Sequence, residues 1–111
     1  MNLGRDAFNR GEFYEAHEFW EEVWNEIDNP ERRFVQGMIQ IATGLHKLTR
    51  DRPDVCRTLL EKALTKLEGA PDTLFGFDLA QLQKDASEVL QKIALRQPAI
   101  AQTVRVWTPS K

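Results

Sequence analysis

Residues 30–49, PERRFVQGMIQIATGLHKLT, decide the fold class of this chain. Drawn as a helix, this stretch is apolar over most of its circumference. Its clearly polar positions form one narrow strip: Gln36, Gln40, Thr43 and Lys47. A helix that is apolar on most sides must be covered by neighbours, so the stretch predicts the central helix of an all-α domain. Gly37 and Gly44 lie seven residues apart on one side, where we expect a neighbouring helix to approach closely.

The stretches on either side also repeat apolar residues with helical spacing. Proline and glycine positions divide them into predicted helices at 2–10, 12–27, 30–49, 53–68 and 79–97. Asn29-Pro30 is predicted to be an N-cap followed by the first helical residue. Asp78 and Gln81 have the spacing of a capping box. Short connections predict antiparallel neighbours, and hence a small antiparallel helical bundle of four main helices plus a short N-terminal helix.

Length and pattern predict a single helical domain over residues 1–111. The bundle is expected to span 1–98 and an extended C-terminal arm to span 99–111. Residues 103–107 alternate like a strand but have no partner strand, so we expect an arm docked by Trp107.

The net charge of −2 conceals an uneven distribution along the chain. Residues 12–31 hold eight acids and no Lys or Arg, so this block carries −8 and the remainder, with nine acids and fifteen bases, carries +6. The sequence contains no apolar run of about 18 residues, so it predicts no membrane-spanning helix. Nucleic-acid binding is not indicated, because the pI is near 5.7 and no basic run exists. A single cysteine, Cys56, and no signal-peptide pattern favour a cytoplasmic protein.

His17 and Glu21 are the polar pair with the clearest chemical meaning, because side chains four residues apart on a helix can meet. Three interpretations stay open. With His46, the pair could hold a metal, although His17-Glu18-x-x-Glu21 lacks the second histidine of zinc proteases. The same residues could line a catalytic or ligand-binding pocket. They could also be a structural pair at the edge of the core that orients one helix on the next.

Gln36 and Gln40 lie one turn apart on the polar strip of the central helix. They are either a solvated stripe or the lining of a groove whose amides grip a peptide or ligand. The acidic face of residues 12–27 has the same two interpretations, since it could be plain solvated surface or a docking face for a basic partner.

Two strings within this region occur together: Ala16-His17-Glu18-x-x-Glu21-x-x-Trp24 and Gln36-Gly37-x-Ile39-Gln40. The combination resembles the bacterial family called domain of unknown function 309, over roughly residues 7–48. The resemblance implies a compact all-α fold and no established activity. It also implies signature polar positions, which are His17, Glu18, Glu21, Trp24, Gln36, Gln40 and His46. The chain departs from the family pattern over residues 49–56.

A second resemblance involves Gly11, Phe13, Ala16 and Trp20, which are spaced as in one tetratricopeptide-type hairpin. No second copy follows at the period of about 34 residues, so a repeat array is not expected.

These observations predict a non-enzymatic helical binding or interaction module with a polar groove between helices 12–27 and 30–49. Its partner would be another protein or a second copy of the chain, without a membrane or nucleic acid, and no cofactor is indicated. The alternative is a small enzyme or metal-binding protein that uses His17 and Glu21 with His46.

Overall fold

The computed structural model describes residues 2–95. Over these residues the chain forms helices α1 (Asn2–Asn9), α2 (Phe13–Trp24), α3 (Glu31–Thr49), α4 (Pro53–Lys66) and α5 (Leu79–Ala94). Between α4 and α5 lie two short strands, β1 (Thr73–Leu74) and β2 (Phe77–Asp78). The predicted all-α bundle of four main helices and a short first one is confirmed. The predicted arm over 99–111, with Trp107, lies outside the described residues, and the assignment of one domain stays a prediction.

Helix α3 is the central element, as its sequence predicts, with α2 and α4 packed against it. Its two glycines face α4. A Cβ added at Gly37 would lie 2.8 Å from Leu67 Cγ, and one added at Gly44 would lie 3.3 Å from Leu59 Cβ. The predicted close approach of a neighbouring helix is therefore confirmed.

Helix α1 closes one end of the core by packing against α2. Gly11, at φ 81°, supplies the left-handed backbone between the two helices. The Phe8 ring stacks on the fully buried Trp20 with centroids 5.6 Å apart, and meets the Phe13 ring edge-on at 5.0 Å. Gly4 faces the five-membered ring of the Trp20 indole. A Cβ at this position would overlap Nε1 and Cδ1 of that ring, so no larger residue has room there.

The β1–β2 hairpin was not predicted. Its strands pair antiparallel with Leu74 opposite Phe77, and its two turn residues, Phe75 and Gly76, both have positive φ (53° and 75°). Turns of this kind usually carry Asn or Asp before the glycine, so the sequence offered only half of the usual pattern. The hairpin places Phe77 in the core, edge-on to the Trp20 ring at 5.2 Å.

The two predicted helix starts had different outcomes. The Asp78 carboxylate accepts from Gln81 N at 2.9 Å, so this N-cap is confirmed, although the Gln81 amide donates onward to Asp85 at 2.9 Å. The predicted N-cap at Asn29 is wrong. Pro30 occupies that position after a cis peptide bond, without a side-chain cap. The N–H of Arg32 donates instead to the Asp28 carbonyl, so backbone atoms replace the predicted side-chain cap.

Helices α2 and α5 are shorter than predicted. The chain leaves α2 at Trp24 through a tight turn in which Glu26 N donates to Val23 O, three residues before the predicted end at Ile27. Helix α5 ends at Ala94 rather than 97. At α2 the apolar spacing continues to Ile27, past the last helical hydrogen bonds, so periodicity overestimates the length. At α5 the spaced apolar residues end at Ile93, inside the helix, and the predicted end came instead from Pro98.

Candidate functional site

The candidate site is the seam between α2 and α3, lined by polar and aromatic side chains from both helices. Helix α2 contributes one stripe at i, i+3, i+7 and i+10, formed by Tyr14, His17, Glu21 and Trp24. Helix α3 contributes Arg32, Gln36, Gln40, His46 and Arg50, the last at its C-cap. We call this set the α2–α3 seam.

Tyr14 joins the two histidines at one end of the seam. Its ring centroid lies 5.2 Å from that of His17 and 5.4 Å from that of His46. The two imidazoles therefore both pack on Tyr14. Sequence reasoning did not include Tyr14 among the site residues, although its position one turn before His17 places it on the same stripe.

The predicted contact between His17 and Glu21 is present within α2. His17 Nε2 lies 3.5 Å from Glu21 Oε1, and His17 Nδ1 donates to the Tyr14 carbonyl at 3.0 Å. The His17 side chain is 19% exposed, whereas that of Glu21 is 53% exposed. Both hydrogen-bonding partners of His17 belong to its own helix, so the His17–Glu21 pair does not itself link α2 to α3. Glu21 lies on the surface rather than at the edge of the core.

A pocket of about 450 Å³ opens beside Tyr14, and we call it the Tyr14 pocket. It is lined by Gly11, Glu12, Phe13, Tyr14, Glu15, His46 and Arg50. Burial lowers the pKa of His46 below 6.5, and the positive charges of Arg50 and Lys47 lower it further, against an opposite effect of Glu15. A neutral imidazole at neutral pH can act as a base or a ligand.

Metal binding by His17, Glu21 and His46 together has little geometric support. Only His46 of the three lines the Tyr14 pocket, and both imidazoles pack against the Tyr14 ring. Within residues 2–95, no three His, Cys, Asp or Glu side chains lie close enough together to hold a metal ion.

Gln40 occupies the middle of α3 and is half-buried. Its Oε1 is buried and accepts no hydrogen bond from any residue in the range 2–95. A buried amide oxygen without a donor is uncommon in folded proteins, because it loses its hydrogen bond to water without replacement. Glu18, by contrast, is exposed and forms no hydrogen bond or ion pair with any described residue.

The other end of the seam is a second pocket, of about 240 Å³, which we call the Trp24 pocket. It is lined by Trp24, Asn29, Arg32, Arg33, Gln36 and Lys66. The Arg32 guanidinium carbon lies 3.8 Å from the centroid of the Trp24 ring, a cation–π stack. Trp24 Nε1 and Arg32 Nε are both buried, and neither has a hydrogen-bond partner in the part of the chain that the structure describes.

Cys56 lies away from the seam, in the contact between α4 and α3. It is fully buried, and this burial raises the pKa of its thiol to about 12. A thiol that stays protonated is a poor nucleophile, so the role of Cys56 is packing between α3 and α4.

Within residues 2–95, no helix combines the length and apolar character needed to cross a membrane.

The family described as "Domain of unknown function (DUF309)" matches residues 1–59, a range that contains α1, α2, α3 and the whole α2–α3 seam. This chain belongs to the DUF309 family. The predicted resemblance is confirmed over more of the chain than the two strings that indicated it. Lys66, which completes the Trp24 pocket, lies beyond the range matched by DUF309.

A relative of this DUF309 chain occurs in Aquifex aeolicus (strain VF5), under the name "Uncharacterized protein". The two are 34% identical over 85 residues, which is 76% of this chain and 26% of the relative. The chain therefore spans about a quarter of the length of the relative that it matches, and most of that relative lies outside the similar region.

Proposed function

We propose that this protein is a non-enzymatic helical binding module whose α2–α3 seam takes a short segment of a partner protein. The observation that carries the proposal is a line of polar and aromatic groups along the seam with a pocket at each end. These groups lie outside the buried apolar core, and one of them, Gln40, has a buried oxygen without a donor.

The dimensions of the seam support a peptide-sized occupant. Tyr14 and Trp24 are ten residues apart on α2, so the two pockets lie about 15 Å apart. An extended segment covers about 3.3 Å per residue, so about five residues would reach from one pocket to the other. Gln40 is half-buried on α3 between them, so such a segment would pass over the exposed part of its side chain.

The relative from Aquifex aeolicus supports the idea of a module. The region similar to this chain is only 26% of that protein, so related sequences occur beside other parts of a longer chain. A domain that recognises a partner can be combined in this way without supplying chemistry of its own.

The proposal is tested by selecting binders from a displayed library of random twelve-residue peptides and mapping them by amide chemical shifts. We expect selected peptides to shift resonances of the seam and to lose about tenfold or more in affinity with Tyr14→Ala, since aromatic anchors often dominate binding. Phe75→Ala is the matched control, because Phe75 is 49% exposed and Tyr14 47%, while Phe75 lies in the hairpin turn. A library without binders, or binders indifferent to Tyr14→Ala, would overturn the proposal.

The alternative, a small enzyme or metal-binding protein, draws support from one observation. His46 lines the open Tyr14 pocket and its pKa is lowered. Elemental analysis with native mass spectrometry discriminates between the two functions. A bound metal in whole-number ratio that is lost in His46→Ala would favour the alternative, whereas the binding module is expected to carry none.

A further inference from the structure

The Trp24 pocket concentrates positive charge in a chain whose net charge is negative. Three of its six lining residues are cations, namely Arg32, Arg33 and Lys66, two are carboxamides, and none is an acid. This composition is opposite to that of the preceding block, residues 12–31, which carries −8.

None of the three cations forms an ion pair with an acid in the described part of the chain. The ion pairs among residues 2–95 involve other residues, and neither Asp28 nor Glu31 pairs with a cation of the pocket. Three positive charges that line one pocket repel each other, and a bound anion would offset that repulsion.

Two of the cations are held in place by contacts that leave their charge available. Arg33 donates one guanidinium N–H to the Thr65 carbonyl at 3.0 Å, which ties α3 to the end of α4. Arg32 is held flat on the Trp24 ring, with its Nε buried and unpaired. A guanidinium that is already ordered loses less conformational entropy when it binds an anion.

From these observations we propose that the Trp24 pocket is a binding site for a doubly charged phosphate group. Two guanidinium groups and an ammonium match a tetrahedral dianion better than a single carboxylate, since arginine donates in pairs to phosphate oxygens. The amides of Asn29 and Gln36 add further donors on the same pocket wall. The volume of about 240 Å³ accommodates a phosphate and the first atoms that carry it.

The inference deepens the proposed function, since a phosphate on the occupant of the seam would be anchored at this end. It is tested without any partner. Inorganic phosphate and acetate are titrated separately at constant ionic strength, while the Trp24 indole N–H is followed by NMR. We expect a saturable shift with phosphate and a weaker response to acetate.

Matched charge removals locate the site. Lys66→Gln and Arg33→Gln are each expected to weaken phosphate binding about tenfold, since hydrogen bonds to charged groups contribute enough for a factor of that size. Lys84→Gln removes the same charge from an exposed position of α5 that does not line the pocket, and is expected to leave binding unchanged. The melting temperature of each variant is measured first, and either pocket variant that folds suffices for the test.

The results separate this inference from the proposed function. A shift that does not saturate, that acetate reproduces, or that all three variants weaken equally would overturn the phosphate site, even if selected peptides bind the seam. Phosphate binding in a protein that selects no peptide would uphold the site and overturn only the peptide-binding function.

A final arm identifies the source of the phosphate. A seven-residue alanine peptide with a central phosphoserine is compared with inorganic phosphate. Tighter binding of the peptide, with loss on Tyr14→Ala, supports a phosphate carried by a segment in the seam. Equal binding supports a phosphate carried by a small molecule.

Discussion

Gly4→Ala is expected to destabilise the protein more than the same change at the other helical glycines. A Cβ at Gly4 would lie 2.9 Å from Trp20 Cε2, with Nε1 and Cδ1 of the indole closer still. Trp20 cannot rotate away, because its rigid ring is fully buried between the rings of Phe8 and Phe77. Helix α1 must therefore shift outward or the ring must move into neighbours that are already packed.

The expected magnitude follows from two opposing effects. Overpacking a core by one methyl group costs roughly 1–3 kcal/mol, and the rigid indole places Gly4 near the upper end. Replacing glycine by alanine inside a helix returns about 1 kcal/mol. The free energy of unfolding should therefore fall by about 2 kcal/mol, which corresponds to a melting temperature lower by roughly 10 °C in a domain of this size.

Gly37 and Gly44 are internal standards, because both are helical and face α4. At Gly37 the nearest atom is Leu67 Cγ at 2.8 Å, followed by the Ala63 carbonyl oxygen at 3.2 Å, so we expect a loss of about 1 kcal/mol. At Gly44 the nearest atom is Leu59 Cβ at 3.3 Å. This mild contact and the helical gain should cancel to within about 0.5 kcal/mol.

The assay is urea unfolding of the wild type and the three variants, followed by far-ultraviolet circular dichroism. The expected order of stability is Gly44→Ala above Gly37→Ala above Gly4→Ala. Wild-type stability in Gly4→Ala, or Gly44→Ala as the least stable variant, would refute the packing of α1 on Trp20 described above.

Three further predictions concern a cap, a thiol and a histidine. Asp78→Ala should lower the free energy of unfolding by about 1 kcal/mol, since it removes the acceptor for Gln81 N, and urea unfolding with Glu88→Ala as a control at an exposed position of α5 checks this. Cys56 should resist iodoacetamide in the native state and react fully in urea, because burial raises its thiol pKa to about 12; rapid native labelling would contradict this. The pKa of His46 is lower in the folded state than in the unfolded state, so the unfolded state takes up the proton first as pH falls below 6.5. The contribution of neutral His46 to stability is therefore present above that pH and is lost as pH falls through the folded pKa. Unfolding at pH 7.5 and 5.5 should therefore show a smaller pH dependence in His46→Gln than in the wild type, and an equal dependence would contradict it.

Local sequence patterns predicted the helices and one cap because they depend on residues close together in the chain. The close approach of a helix at Gly37 and Gly44 was predictable for the same reason, since two glycines on one helical face leave room for a neighbouring helix. The hairpin was missed because Phe75 is an unusual residue at a position of positive φ, and the energy that holds it there comes from burying Phe77 against Trp20. That contact joins residues 57 positions apart, which no local pattern reports.

In the candidate site too, contacts within one helix could be predicted from the sequence and contacts between helices could not. The contact between His17 and Glu21 lies within one helix, so spacing alone predicted it. The packing of Tyr14 on His46 depends on the register of α2 against α3, and periodicity fixes the faces of helices but not their register. The Trp24 pocket is further removed from the sequence, because it also needs Lys66 from the end of α4.

The uneven charge of the sequence forms two surfaces of opposite sign in the fold. An anionic partner and a basic partner are therefore expected to bind different surfaces. Glu18 and Glu22 are exposed on α2 and Glu26 is exposed in the turn that follows it, whereas Arg32, Arg33 and Lys66 line the Trp24 pocket. An anionic occupant would be repelled from the exposed acids and attracted into the pocket, and its binding would weaken with salt and with loss of Lys66. A basic partner would bind the acids instead, with the same salt dependence but no response to Lys66→Gln. Salt dependence alone therefore does not identify the surface, and the Lys66 variant is the measurement that assigns the partner to the pocket or to the face of α2.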